Sequence, residues 1–267
     1  MKRFIIPLIL VLLIISACKN DNKQNKDTPI ETSELKADTQ KPELAITPIS
    51  HATMVLEYGN ETIYVDPVGG KAAFKHQKKP TIVLITDIHP DHYEFSTLKD
   101  IDLNETIFVI PQAVADKFPA DFNPMHKVLN NGESTTIKGI SIKAIPMYNL
   151  REEALKFHPK GRGNGYVLTL GNKRVYISGD TEDIPEMRNL KNIDIAFVCM
   201  NLPYTMPVES AADAVLEFKP KKVYPYHYRG TDGLSDVGKF KQLVNQGDDS
   251  IDVVQLDWYP NKKSDTE

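Results

Sequence analysis

Cysteine is almost missing from this chain. Only Cys18 and Cys199 occur among 267 residues, a count that excludes a disulfide framework and any cysteine-built zinc module. Cys199 sits within the apolar segment 193–200, where a buried, inert thiol is expected. Charge of one sign is missing too. Lysine and arginine total 32 against 36 acidic residues, a net charge of -4, and no arginine-rich arm or basic aromatic face occurs, so nucleic acid is not an expected partner. Three glycines fall within 161–165, but no Gly-Lys-Ser/Thr follows and the next element is a strand, which rules out a phosphate-binding loop. No serine or cysteine belongs to a convincing nucleophilic triad. The apolar content, 41%, still suffices for one globular domain with a substantial core.

Against these absences stands Thr86-Asp87-Ile88-His89-Pro90-Asp91-His92-Tyr93. It follows Ile82-Val83-Leu84-Ile85, a run short and β-branched enough to be a buried strand. Two aspartates and two histidines within six positions have no use in packing. Such groups need a shared partner when they converge, and a divalent cation is the natural one. Imidazole with carboxylate suits zinc, manganese or iron better than calcium. Asp91-His92 is expected to open a short helix.

Elsewhere the chain alternates short strands with helices, an α/β pattern. Strands are predicted over 46–50, 53–58 and 62–65, the last two joined at Gly59-Asn60. His51 stands between the first two, and Asp66 closes the third, placed to orient a metal ligand from behind. Strands follow at 106–110, 125–129 and 140–145, the last pair joined through Asn130-Asn131-Gly132, with a helix over 112–118. His76 and His126 carry no partner and are expected to be structural or solvated. The loop that leaves Asn149 carries His158, Lys160 and Arg162, and its glycines permit close backbone approach beside a site. A hairpin, 166–170 with 174–177, delivers Ser178-Gly179-Asp180-Thr181, and a strand at 223–226 ends in His227. A helix starting at Pro207 directs Val208, Ala211, Ala212, Val215 and Leu216 inward; a second directs Val237, Phe240, Leu243 and Val244 inward before a strand at 251–256.

The N-terminus has a different character. Met1-Lys2-Arg3 precedes an apolar run over 4–15, too short to span a bilayer comfortably but long enough for a signal-peptide core. Its end, Ile15-Ser16-Ala17-Cys18, resembles the lipobox of bacterial lipoproteins. That likeness implies removal of 1–17, acylation of Cys18 and attachment to a membrane of the cell envelope, with the domain outside the cytoplasm. Each buried methylene contributes roughly 0.8 kcal/mol, so several acyl chains anchor durably. Residues 18–44 are polar and are expected to form a flexible tether, leaving 45–267 as the globular domain.

The order of motifs, a strand followed by an HxHxDH-like stretch, Gly-Asp-Thr, then a strand ending in His, resembles the metallo-β-lactamase-fold hydrolases. His51-Ala52-Thr53, Val65-Asp66-Pro67 and Ser178-Gly179-Asp180-Thr181 are similar to the branch containing L-ascorbate-6-phosphate lactonase and N-acyl-phosphatidylethanolamine phospholipase D. The resemblance implies a four-layer αββα sandwich and one or two divalent ions, zinc first, with manganese or iron also acceptable. It assigns His89 to a first ion, Asp91, His92 and His227 to a second, and Asp180 to both, with Asp91 or Asp180 orienting the attacking hydroxide. Two positions depart from the pattern, Asp87 and Asn149, where histidines are usual. Asp87 can still ligate, and His158 can replace the missing imidazole. Expected chemistry is hydrolysis of an ester, lactone or phosphodiester in a small molecule or lipid, with Lys160, Arg162 and Arg229 meeting an anionic group. The alternative is a membrane-anchored lipoprotein that binds metal or ligand without turnover.

Overall fold

The computed structural model describes residues 42–260. The signal segment, Cys18 and most of the tether lie outside them. Among the described residues no helix is long and apolar enough to cross a membrane.

Two sheets form the centre. In the first, β1 (Ala45–Ser50), β2 (Thr53–Tyr58) and β3 (Glu61–Val65) run antiparallel, and β4 (Ile82–Leu84), β5 (Ile107–Ile110) and β6 (His126–Val128) continue in parallel. The second contains β7 (Ser134–Ile137), β8 (Ile140–Met147), β9 (Gly163–Leu170), β10 (Lys173–Ile177), β11 (Ile195–Val198) and β12 (Lys222–Pro225). A two-stranded ribbon, β13 (Arg229–Gly230) and β14 (Gly233–Leu234), stands apart, and β15 (Asp252–Val253) joins the second sheet beside β12. Neighbours in the second sheet are antiparallel from β7 to β10 and parallel from β10 through β11 and β12 to β15.

Strand alternation sorts the first sheet's side chains between two layers. Val55, Tyr64, Val83 and Phe108 turn outward, onto a cluster that includes Phe74, Leu98 and Val114. Those three belong to or adjoin α1 (Gly70–Ala73), α2 (Phe95–Asp100) and α3 (Gln112–Ala115). Met54, Leu56, Ile63, Val65, Ile82, Leu84 and Val109 turn inward, into the core shared with the second sheet. That sheet is covered in turn by α4 (Pro185–Arg188), α5 (Val208–Phe218) and α6 (Val237–Gly247), which bury Met187, Ala211, Val215, Phe218, Phe240 and Val244. The result is the αββα sandwich that the motifs imply.

Polar ties lock the two sheets where the site lies. Tyr166 donates to the Ile85 carbonyl at 2.9 Å, and the Asn164 amide to the Thr86 carbonyl at 2.9 Å. Such an approach needs glycine. A Cβ at Gly163 would stand 2.8 Å from the Thr86 carbonyl oxygen. The segment read as a glycine-rich loop is therefore the start of β9.

Three local expectations are corrected. Asp91-His92 does not open a helix: the His92 and Tyr93 amides both donate to the His89 carbonyl, closing a turn, and α2 begins at Phe95. Strands β6 and β8 are not a hairpin about Asn130-Asn131-Gly132. They lie in different sheets, with β7 pairing to β8. The last strand is confined to Asp252–Val253.

Candidate metal centre

The site is assembled at the carboxyl ends of strands. β3 delivers Asp66, β4 the Thr86–His92 stretch, β8 Asn149, β10 Asp180 and β12 His227, while the β1–β2 turn supplies His51. His51, Asp66 and His227 hold left-handed backbone, with φ of 56°, 45° and 47°. That conformation costs a non-glycine residue roughly 1–3 kcal/mol and clusters at functional sites. Gly179, at φ 61°, adopts the same region beside Met147, whose sulfur would lie 2.6 Å from an added Cβ.

One half of the site gathers His92, His227, Asp180 and Asp91. His92 Nε2 lies 3.1 Å from His227 Nε2 and 3.4 Å from Asp180 Oδ2. His227 Nε2 is 3.1 Å from Asp180 Oδ1 and 3.4 Å from Asp91 Oδ2, and His92 Nε2 is 3.9 Å from Asp91 Oδ1. Donors bound at 2.0–2.2 Å around a tetrahedral ion would stand roughly 3.3–3.5 Å apart. The observed spacings, 3.1 to 3.9 Å, bracket that figure. Among the described residues no lysine or arginine pairs with Asp91 or Asp180, and Asp180 Oδ1 and His158 Nε2 are buried without a hydrogen-bond partner. This donor set fits a divalent cation.

Second contacts orient these donors. His92 Nδ1–H donates to Asp66 Oδ2 at 2.8 Å, and Asp66 also receives the Thr86 amide and hydroxyl, each at 2.7 Å. The proton on Nδ1 leaves the Nε2 lone pair free, an arrangement common behind metal-bound histidines. His51 holds Asp91 similarly. Its Nε2–H donates to Asp91 Oδ2 at 3.2 Å, and its Nδ1 accepts from the Tyr259 hydroxyl at 2.8 Å. Asp66 and His51 thus stand behind His92 and Asp91; His51 also lies with Asp91 and His227 in a group compact enough to hold an ion.

The other half gathers Asp87, His89 and His158 within reach of one another. His158 reaches this group: its Nε2 lies 3.2 Å from Asp180 Oδ2 and 4.0 Å from Asp87 Oδ2. Asn149 lies against His158, its Nδ2 3.2 Å from Nδ1, and donates to the Ala154 and Tyr204 carbonyls. Asp87 is already partnered, by Arg162 through Nε at 3.0 Å and Nη2 at 2.7 Å and by His89 Nδ1 at 2.8 Å.

Charge balance follows from these contacts. Burial pushes the Asp180 carboxyl up, but His227 and His92 outweigh it and hold it well below the usual range. Burial likewise opposes ionisation of Asp91, which His92, His227 and His51 overcome. For Asp87 burial is outweighed by the hydrogen bonds from His89 and Arg162. Burial lowers His51, favouring the neutral ring that its single donated proton requires.

The cations expected to meet a substrate have partners within the protein. Arg162 is engaged by Asp87. Lys160 reaches Glu186 at 2.8 Å, and Arg229 lies over the Tyr259 ring at 4.9 Å. A cavity of about 290 Å³ opens at the site, lined by His89, Pro90, Asp91, Phe157, His158, Asp180, Asn201 and Tyr204, none of them cationic by nature. Phe157, Asn201, Tyr204 and the positioning residue Tyr259 were not legible as site residues. Tyr259 follows the last strand with no motif around it. Glu182, also unflagged, is buried and fastens the Leu150–Arg151 turn through both amides.

The β-lactamase superfamily domain model matches residues 45–227, more than half of the chain. The chain belongs to the metallo-β-lactamase superfamily. A crystal structure from Parabacteroides distasonis, assigned as a metal-dependent hydrolase, is 41% identical, covers 82% of this chain and 94% of its own, and superposes with a TM-score of 0.74. A metal-dependent hydrolase of the UPF0173 family from Thermococcus kodakarensis is 28% identical over 217 residues, covering 78% of this chain and 94% of the relative. A metallo hydrolase from Ignicoccus hospitalis shares the fold at a TM-score of 0.67 with 22% identity, over 80% and 94% of the two chains. The chain is therefore a metal-dependent hydrolase, and the reading of it as a non-catalytic binding module is not favoured.

Proposed function

We propose that the hydrolase cleaves a carboxylic ester or lactone bearing an apolar group, using an ion held by His92, His227, Asp180 and Asp91. The convergence of those four side chains, with no protein cation among them, carries the reading. A bound divalent ion supplies a water acidic enough to attack at neutral pH and a positive charge for the developing oxyanion. The chain's own residues do the rest. Asp66 fixes the His92 tautomer. Asp91, ionised and partly exposed in the cavity, accepts a hydrogen bond from the attacking water and orients it, while Tyr259 and His51 hold its carboxylate in place. Phe157 and Tyr204, edge to face at 5.0 Å, wall the cavity and receive the apolar group. The family likeness also favours phosphodiesters. The cavity offers such an anion no lysine or arginine among its lining residues, so esters and lactones take precedence. Zinc is the proposed ion because two imidazoles with two carboxylates match its usual donors.

The lipobox-like Ile15-Ser16-Ala17-Cys18 supports a lipid-anchored protein of the bacterial cell envelope, with a substrate that is small or lipid-borne. An intact mass showing an acylated N-terminal Cys18 in the membrane fraction supports the anchor; an unmodified chain contradicts it.

The activity test is a panel of chromogenic esters, lactones and phosphodiesters, run on the purified chain and on Asp180→Ala. Ester or lactone turnover that disappears in Asp180→Ala with the bound ion supports the reading. Turnover confined to phosphodiesters, or unchanged in the variant, overturns it.

A further inference from the structure

Both oxygens of Asp87 are taken by cationic or N–H donors. The side chain is fully buried, Arg162 meets it side-on through Nε and Nη2, and His89 Nδ1 closes on the same Oδ2. With that proton directed at Asp87, His89 keeps one lone pair, on Nε2, and Arg162 Nη2 stands 3.5 Å from it. The guanidinium is anchored further by the Phe157 carbonyl, and Gly161, at φ 90°, turns the chain so that Arg162 points inward immediately before β9. Of the donors around Asp87, only His158 Nε2 faces no cation.

The other half of the centre shows the opposite pattern, with imidazole nitrogens and carboxylates crowded together and no protein cation between them. Both departures from the family pattern, Asp87 in the HxHxDH-like stretch and Asn149 after β8, fall on the Arg162 side. An ion entering there would have to displace a bidentate, charge-assisted pair and leave a largely buried guanidinium beside a divalent charge. Arginine cannot relieve that repulsion by losing its proton.

We propose that Arg162 takes the place of the first metal ion: the hydrolase is mononuclear, with one ion on His92, His227, Asp180 and Asp91 and a permanent guanidinium on Asp87 beside it. The inference rests on the metal site proposed above. Part of the centre's positive charge is then covalent, beyond the reach of chelators.

The test is metal stoichiometry on the purified full-length chain, measured by elemental analysis after loading with cobalt and by the magnetic coupling in its electron paramagnetic resonance spectrum. The wild type is expected to hold one equivalent with an uncoupled signal. Arg162→Ala frees Asp87, His89, His158 and Asp180 for a second ion, so two equivalents and a coupled pair are expected. Asp87→Asn, which needs no new ion, should keep one equivalent and serves if Arg162→Ala does not fold. Two equivalents in the wild type, one in folded Arg162→Ala, or loss of the ion in Asp87→Asn each overturns the proposal. No bound metal in the wild type would instead contradict the proposed metal site.

Discussion

Asp66 and Asp87 each place a carboxylate oxygen 2.8 Å from an imidazole Nδ1, and both are buried. What differs is the third partner. Asp66 is completed by the neutral Thr86 hydroxyl and amide, so its charge acts on His92 and frees Nε2 toward Asp91, Asp180 and His227. Asp87 is completed by Arg162, whose charge turns that half inward on itself. On the proposed reading, like carboxylate–histidine pairs support a metal ligand in one half and seat the arginine that stands in for an ion in the other. A donor's identity alone does not make a ligand; the cation already beside it decides.

The comparison can be broken most severely at Asp180, which both halves share. Asp180→Ala should abolish ion binding and lower kcat/KM on the order of 10³-fold or more, measured by metal analysis and steady-state kinetics. Asp66→Asn should weaken metal affinity by roughly 10–100-fold, the usual cost of removing such a support, whereas Asp87→Asn should leave affinity within a factor of about two. Competitive chelator titration of both variants compares the two pairs directly. Equal losses would erase the distinction between them. Gly179→Ala tests the backbone that delivers Asp180. A Cβ there meets Met147 at φ 61°, so thermal or denaturant unfolding should show a loss of roughly 1–3 kcal/mol. The smallest expected effect is at Cys199, adjacent to the site but not part of it. Burial pushes its thiol up to about 12, and its Sγ donates to the Thr181 carbonyl. As the raised value leaves little thiolate below it, a thiol reagent should label the native domain negligibly from pH 7 to 9. Full labelling of Cys199 should follow unfolding.

Much of this centre could be read from sequence because polar donors stand out against apolar strands. Asp87, His89, Asp91 and His92 follow an isoleucine-rich run, and Asp66 and Asp180 end strands of the same kind. The sandwich was legible only through the family resemblance, because short apolar strands mark buried positions without saying how two sheets stack. The role of Arg162 was not legible. Its partner is 75 positions away, and sequence shows only a cation in a loop, equally suited to a substrate anion or to a carboxylate. The β6–β8 connection was misread because a turn signal such as Asn130-Asn131-Gly132 does not say which sheet the next strand joins. Asp91-His92 does not begin a helix because the His89 carbonyl captures both following amides, a tertiary arrangement of the ligand turn that local propensity does not contain.

A crystal of the metal-loaded protein, with anomalous scattering collected at the metal's absorption edge, tests the central claim most directly. One peak enclosed by His92, His227, Asp180 and Asp91, with Arg162 still seated on Asp87, is the predicted result. A peak between Asp87, His89 and His158, with the guanidinium displaced, would contradict it.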